Sequence, residues 1–185
     1  PFNSIFAWII KKRLHQIDLF RKYPLEVQHE LFERLILMAR YTEFGLKYNF
    51  DDISTYDDFR KQVPLQEYED IEPWVDRLIA GEQNLLWPTE TKWFAKSSGT
   101  TSSRSKLIPV SRESLEECHY KGGKDMLSLY VNNFPESRLF TGKSLTIGGT
   151  LEKNPLNPQG TARAGDISAV IMENLPIWAQ FARTP

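Results

Sequence analysis

The sequence predicts a mixed α/β fold: a mainly helical lead-in over residues 1–90, followed by a strand-loop-strand-helix-strand segment over 91–185. Three observations carry this. Apolar residues recur at helical spacing through the first forty-odd positions. Two short runs, 91–96 with Trp93 and Ala95 alternating against polar neighbours and 106–110 with Leu107, Ile108 and Val110, read as strands. The loop between them is longer than a hairpin requires, and a loop of that length inside a sheet usually has a task.

In chain order, residues 4–21 place Ile5, Trp8, Ile9, Leu14, Ile17 and Phe20 near helical spacing with basic residues between them, a helix expected to pack on the domain rather than lie on a membrane. Pro24 opens a second helix at its first position, with Val27, Leu31, Leu35, Met38 and Thr42 on one face and Gly45 as its stop. Thr55 and Asp58 have capping-box spacing ahead of a short helix containing Phe59, and Pro64 keeps the following residues extended. A helix is expected over 70–80. Pro73 would sit in its first turn, Glu69, Asp70 and Glu72 near its positive end, and Gly81 at its close. Those acids read as helix-start chemistry, not as a catalytic pair.

Beyond the second strand, Ser111 is the expected N-cap of a helix reaching about Asn132, with Leu115, Cys118, Met126, Leu127 and Tyr130 buried and Gly122-Gly123 marking a kink or a close approach. Residues 144–147 read as a strand, 154–165 as a loop, and 167–183 as a mostly apolar segment interrupted by Pro176.

The 185 residues carry 23 basic and 24 acidic side chains, a net charge of −1, so no global field would draw nucleic acid or an acidic membrane. Any anion must be held locally. No apolar stretch approaches the length of a membrane span, and the Phe6–Ile10 run is too short for a leader, which reads as a cytoplasmic chain. Cys118 is the single cysteine and the three histidines are scattered, so neither a disulfide framework nor a metal centre built from protein ligands is expected. Cys118 and His119 are adjacent, and neighbours on a helix point about 100° apart, which argues against a thiol nucleophile and its base.

The loop itself carries the chemistry. Between Ser97 and Ser105 stand seven hydroxyl side chains and Gly99, with Arg104 and Lys106 at its far end. Hydroxyls, turned backbone N–H groups and nearby positive charge suit a polyphosphate. The pattern differs from the common nucleotide loop G-x-x-x-x-G-K-[ST], because Arg104 stands where the second glycine belongs and the lysine comes one place late.

Ser97, Ser98, Gly99, Thr100, Thr101 and Lys106 resemble the first signature of the adenylate-forming superfamily, which includes acyl-CoA synthetases and luciferase. Ser103 departs from it where glycine is usual, and Ser105 where proline is common. The flanking runs 39–44, 63–65, 68–74 and 79–82 are similar, in order, to the N-terminal part of the Gretchen Hagen (auxin-responsive) acyl-acid amido synthetases in a bacterial-looking version. That resemblance implies that 1–185 is the N-terminal part of one adenylate-forming domain, roughly the first third of a family member. The rest of the domain and the C-terminal lid would be missing, and the chain alone would be inactive.

The resemblance further implies ATP and magnesium as cofactors and a small carboxylic acid and an amino acid as substrates; the charge balance and the short apolar runs argue against a nucleic-acid or membrane partner. ATP phosphates would be held by Ser97, Ser98, Gly99, Thr100, Thr101, Ser102, Arg104 and Lys106. No catalytic residue is assigned. Tyr120, Met126 and Tyr130 could line an acyl pocket, but such stripes are more often core. A truncated sheet would leave an edge open to self-association. Two other readings stand beside the synthetase: a non-catalytic interaction module whose Ser/Thr loop is a flexible, phosphorylatable surface segment, and a phosphate-binding transferase unrelated to adenylation.

Overall fold

A computed structural model describes residues 2–97, 105–142, 145, 147–153 and 160–176. The chain divides into two compact units, one formed by 1–27, 113–148 and 171–185, the other by 28–112 and 149–170.

In the first unit, the N-terminal helix is broken at Lys12 into α1 (Phe2–Lys11) and α2 (Arg13–Lys22). Ile10 is buried, while Ile5, Trp8, Ile9 and Phe20 of the expected stripe are exposed. Both helices pack on α7 (Lys121–Asn133). Two polar contacts pin them there: the Arg13 guanidinium donates to both Asp125 oxygens at 2.7 and 3.1 Å, and the fully buried Ser128 hydroxyl donates to the Ile10 carbonyl at 2.6 Å. The second bond satisfies a last-turn carbonyl that α1 cannot pair internally.

The helical run before α7 starts at Arg112, right after Ser111, and is wound as a π-helix over Ser114–Tyr120. The departure from α geometry therefore falls before Gly122-Gly123, which lie inside regular α7 with nothing within 4 Å of where a Cβ would stand. The buried positions are Leu115, Ser128 and Val131. Cys118, Met126 and Tyr130, expected inside, are exposed. The π-turn shifts the phase of the apolar stripe, so a constant 3.6 period carried across 114–133 selects the wrong face.

The second unit begins within α3 (Pro24–Ala39), whose proline takes the first helical position. Its inward face is the half-buried Phe32 with the buried Ile36 and Ala39, and Leu31, Leu35 and Met38 point to solvent. The choice between the two stripes is made by aromatic partners further along the chain. Phe32 meets Phe59 edge to face at 6.0 Å between centroids, and Ile36 and Ala39 pack with Phe50 and Ile53.

Gly45 does not stop α3. It lies within the separate short helix α4 (Glu43–Lys47), capped by Thr42, whose buried hydroxyl accepts from the Gly45 N–H at 3.0 Å and donates to the Ala39 carbonyl at 2.7 Å. A Cβ on Gly45 would stand 2.1 Å from that same carbonyl oxygen, so only glycine fits.

Residues Phe50–Asp52 form a single 3₁₀ turn, and α5 (Tyr56–Gln62) follows with the expected Thr55–Asp58 capping box. Helix α6 (Tyr68–Ala80) starts two residues earlier than expected, because the Asp70 carboxylate accepts from the Glu67 N–H at 2.9 Å. Pro73 consequently lies inside the helix, past its first turn, and Gly81 ends it at φ 107°. Trp74, Val75, Leu78 and Ile79 on one face of α6 form a core with Leu85, Phe94, Ala162 and Ala164.

That face rests on a four-stranded mixed sheet of order β2-β1-β4-β3: β1 (Trp93–Lys96), β2 (Leu107–Val110), β3 (Leu151–Lys153) and β4 (Arg163–Gly165). Strands β1 and β2 are antiparallel with Trp93 opposite Val110 and Lys96 opposite Leu107. Strand β4 runs parallel to β1, with Phe94 opposite Ala164, and β3 closes the far edge antiparallel to β4.

The mixed α/β class and the β1-loop-β2 unit are as the sequence predicts, although Phe94 is the fully buried residue of β1. The expected strand at 144–147 is not borne out at its described positions, where Leu145 and Ile147 are exposed and outside any strand; Ser144 and Thr146 lie outside the described residues. Part of the expected 154–165 loop is instead β4, whose Arg-Ala-Gly sequence has little strand propensity and is held by pairing with β1. Helix α8 (Ile167–Glu173) completes the described elements.

Candidate functional site

The antiparallel pairing of β1 and β2 continues one step past the strands. Ser97 N–H donates to the Lys106 carbonyl at 2.9 Å, and Lys106 N–H donates to the Ser97 hydroxyl oxygen at 3.1 Å. The second bond replaces a main-chain acceptor by a side chain, which closes the loop's two ends without extending the ladder. Of the predicted phosphate-binding residues the structure thus describes Ser97 and Lys106 and brings them together. Ser98, Gly99, Thr100, Thr101, Ser102 and Arg104 lie outside the described residues.

The loop leaves from the carboxyl end of β1, and the parallel neighbour β4 ends on the same side of the sheet. Crevices outside the carboxyl ends of parallel strands are where open α/β sheets take ligands. Next to β4, the Asp166 carboxylate accepts from the Ser168 N–H at 2.8 Å, and the Ser168 hydroxyl accepts from Gly149 N–H at 3.1 Å. Hydrogen bonding to Ser168 holds the Asp166 carboxyl below its ordinary range.

Two residues to which the sequence pattern assigns no role at the site stand at the loop's exit. The Tyr68 hydroxyl accepts from Leu107 N–H at 2.9 Å and donates to the Leu107 carbonyl at 3.0 Å. The Lys106 ammonium lies 3.1 Å from a Glu69 carboxylate oxygen and 4.8 Å from the centre of the Tyr68 ring. Glu69 has its pKa lowered, first by its own backbone N–H and then by Lys106, so it is ionised at neutral pH. No local signal could have found these contacts, because Tyr68 and Leu107 are 39 positions apart.

Leu107 and Pro109 occupy the positions of β2 whose main-chain groups face away from β1, as the Ser97–Lys106 bond fixes the alternation. Tyr68 satisfies both groups of Leu107, and Pro109 has no N–H to offer, so this edge is blunted along most of its length. Beside it lies a shallow apolar depression lined in part by Gln66, Tyr68, Ile71 and Leu107.

Elsewhere in this unit, Arg77 makes a bidentate pair with Glu43 at 2.8 and 2.7 Å and also binds Glu82 at 2.7 Å, tying the start of α4 to the end of α6. Those bonds, Glu43 first, raise the Arg77 pKa, and Arg77 lowers that of Glu43. Among the described residues no group of three or more His, Cys, Asp or Glu is arranged to hold a metal ion, and no helix is long and apolar enough to cross a membrane.

A fold with a strand-paired hydroxyl loop at the carboxyl end of a parallel strand pair defines an α/β protein with a candidate anion site. The sequence model described as the GH3 family N-terminal domain matches residues 13–185, and the chain belongs to that family.

Among its relatives, indole-3-acetic acid-amido synthetase GH3.2 of Arabidopsis thaliana is 25% identical over 152 residues, covering 78% of this chain and 28% of the relative. The 4-substituted benzoates-glutamate ligase GH3.12 of the same plant is 30% identical over 122 residues, 57% of this chain and 21% of the relative. The solved structure of a GH3.15 acyl acid amido synthetase superposes with a TM-score of 0.75 at 22% identity, covering 95% of this chain and 30% of that one, which shows the shared fold. The chain spans about a quarter of the length of the curated relatives it matches.

Proposed function

We propose that this chain is the phosphate-gripping N-terminal portion of an ATP-dependent acyl acid amido synthetase, with residues 1–185 forming part of a single adenylate-forming domain. In such an enzyme a carboxylate attacks the α-phosphate of ATP, pyrophosphate leaves, and an amino acid's amine then displaces AMP to form the amide. The observation that carries the reading is the closure of the 97–106 loop on paired strands, with its hydroxyl-rich sequence presented at the carboxyl end of β1 and its lysine at the exit. The relatives' names, as amido synthetases and an amino-acid ligase, support it.

The donor set fits a nucleotide triphosphate. Ser97 retains a hydroxyl proton after accepting from Lys106, the loop adds further hydroxyls and backbone N–H groups, and Lys106 supplies a cation on a flexible stem. Glu69 opposes an anion there, so Lys106 must turn from the carboxylate toward phosphate as nucleotide enters. Magnesium would arrive on the phosphates and spread their charge. Ser97, Ser98, Thr100, Thr101 and Ser102 would orient the phosphates, and Arg104 and Lys106 would neutralise the pyrophosphate end.

The test is carboxylic-acid-dependent exchange of labelled pyrophosphate into ATP by the complete protein, screened across aryl and indolyl acids, and followed by amide formation with amino acids. Acid-dependent exchange supports the proposal. Nucleotide turnover that ignores every acid, or exchange that survives unchanged in Ser98→Ala, would remove it.

A further inference from the structure

Lys106 and the residue after it are held from beneath by the start of α6. On the inner side of β2, Lys106 N–H is bonded to Ser97; on the outer side the next residue, Leu107, has both main-chain groups on the Tyr68 hydroxyl. The Tyr68 ring also faces the Lys106 ammonium, and Glu69, one residue on in α6, takes its charge at 3.1 Å. A single turn at the start of α6 therefore fixes the backbone from which Lys106 extends, offers its cation an aromatic face, and provides the carboxylate that holds it.

We infer that Tyr68 is a positioning residue for the phosphate loop, clamping Leu107 so that the Lys106 side chain swings between Glu69 and a bound triphosphate about a fixed backbone. This deepens the proposed function and rests on it.

On its outer edge β2 is held at Leu107 by the Tyr68 hydroxyl, and Lys106 is the neighbour of that clamped residue, so removing the hydroxyl loosens the backbone from which Lys106 extends. Tyr68→Phe keeps the ring and its contact with the ammonium and deletes only the clamp. Losing hydrogen bonds of this kind is worth about five- to tenfold in an equilibrium that depends on them. The loss falls on nucleotide affinity, because the chemical step at saturating ATP meets the same side chains once they are engaged.

The experiment uses the complete protein and two readouts besides turnover. Deuterium exchange at the Leu107 amide reports the clamp, and titration with magnesium and a non-hydrolysable ATP analogue reports affinity. Tyr68→Phe is expected to speed Leu107 exchange, raise the analogue's dissociation constant about five- to tenfold, and leave the rate at saturating ATP within about twofold. Thr55→Ala, which removes the cap of α5, serves as a destabilised control and should leave the analogue's affinity unchanged.

Unchanged Leu107 exchange, or faster exchange with unchanged affinity, would overturn the inference while the phosphate loop stands. An equal loss of affinity in Thr55→Ala would overturn it as mere destabilisation. Failure of the unsubstituted protein to bind the analogue would overturn the phosphate-loop reading itself, and this inference with it.

Discussion

Replacing Lys106 by alanine separates what this residue does for the fold from what it does for the site. In the folded chain its ammonium contacts the Glu69 carboxylate at 3.1 Å, and the two side chains are 39% and 64% exposed. Pairs that open to water add little to stability, since solvent screens them and both side chains give up rotamer freedom to meet. The melting midpoint should therefore fall by no more than about 3 °C.

The effect on a bound triphosphate is of a different size. A charged donor aimed at phosphate oxygens in a site closed to water is worth about 10²-fold, or about 2.7 kcal/mol. The complete Lys106→Ala protein should show acid-dependent ATP–pyrophosphate exchange reduced about 10²-fold, with an unchanged circular dichroism spectrum. Glu69→Gln, which removes the competing carboxylate and keeps an acceptor beside the ammonium, should tighten nucleotide binding. Exchange by Lys106→Ala within about twofold of the parent, with the fold intact, would refute the assignment of this lysine to the phosphates.

Three further outcomes follow from the packing and the titratable groups. Gly45→Ala should cost about 2 to 4 kcal/mol in denaturant unfolding, because its Cβ would meet the Ala39 carbonyl at 2.1 Å and main chain cannot yield as a side-chain tip can. Phe94→Ala should cost about 3 to 5 kcal/mol by the same measurement, since this ring is wholly buried between the sheet and α6. Asp58 has its pKa lowered chiefly by the Thr55 hydroxyl. Its contribution is thus present above the unfolded-state value of about 4 and is lost as pH falls through the lower folded value. Thermal melts between about pH 5 and 2 should show the midpoint falling with acid, and Asp58→Asn should make that fall shallower.

Features written in adjacent residues are legible in the amino-acid sequence alone. Pro24 opens its helix, Thr55 and Asp58 cap theirs, Gly81 takes its positive φ, and the β1-loop-β2 unit lies where alternation and loop composition place it. Features decided by distant partners are not. Helix α3 carries two apolar stripes, and only Phe50 and Phe59 select the one with Phe32 and Ile36. Arg163–Gly165 becomes a strand through pairing with β1. Tyr68 lies outside the helix expected over 70–80 and has no assigned role until Leu107 is placed beside it. At the site, hydroxyl content and the flanking cation are visible in the sequence, whereas Glu69, which holds that cation, reads there only as helix-start chemistry.

In the proposed function the loop bounded by Ser97 and Lys106 grips the phosphates of ATP. A crystal structure of the complete protein with magnesium and a non-hydrolysable ATP analogue tests it most directly. The phosphate oxygens are expected within hydrogen-bonding distance of the 97–106 loop, with the Lys106 ammonium turned from Glu69 onto them. A triphosphate bound elsewhere, with Lys106 still on Glu69, would contradict the account.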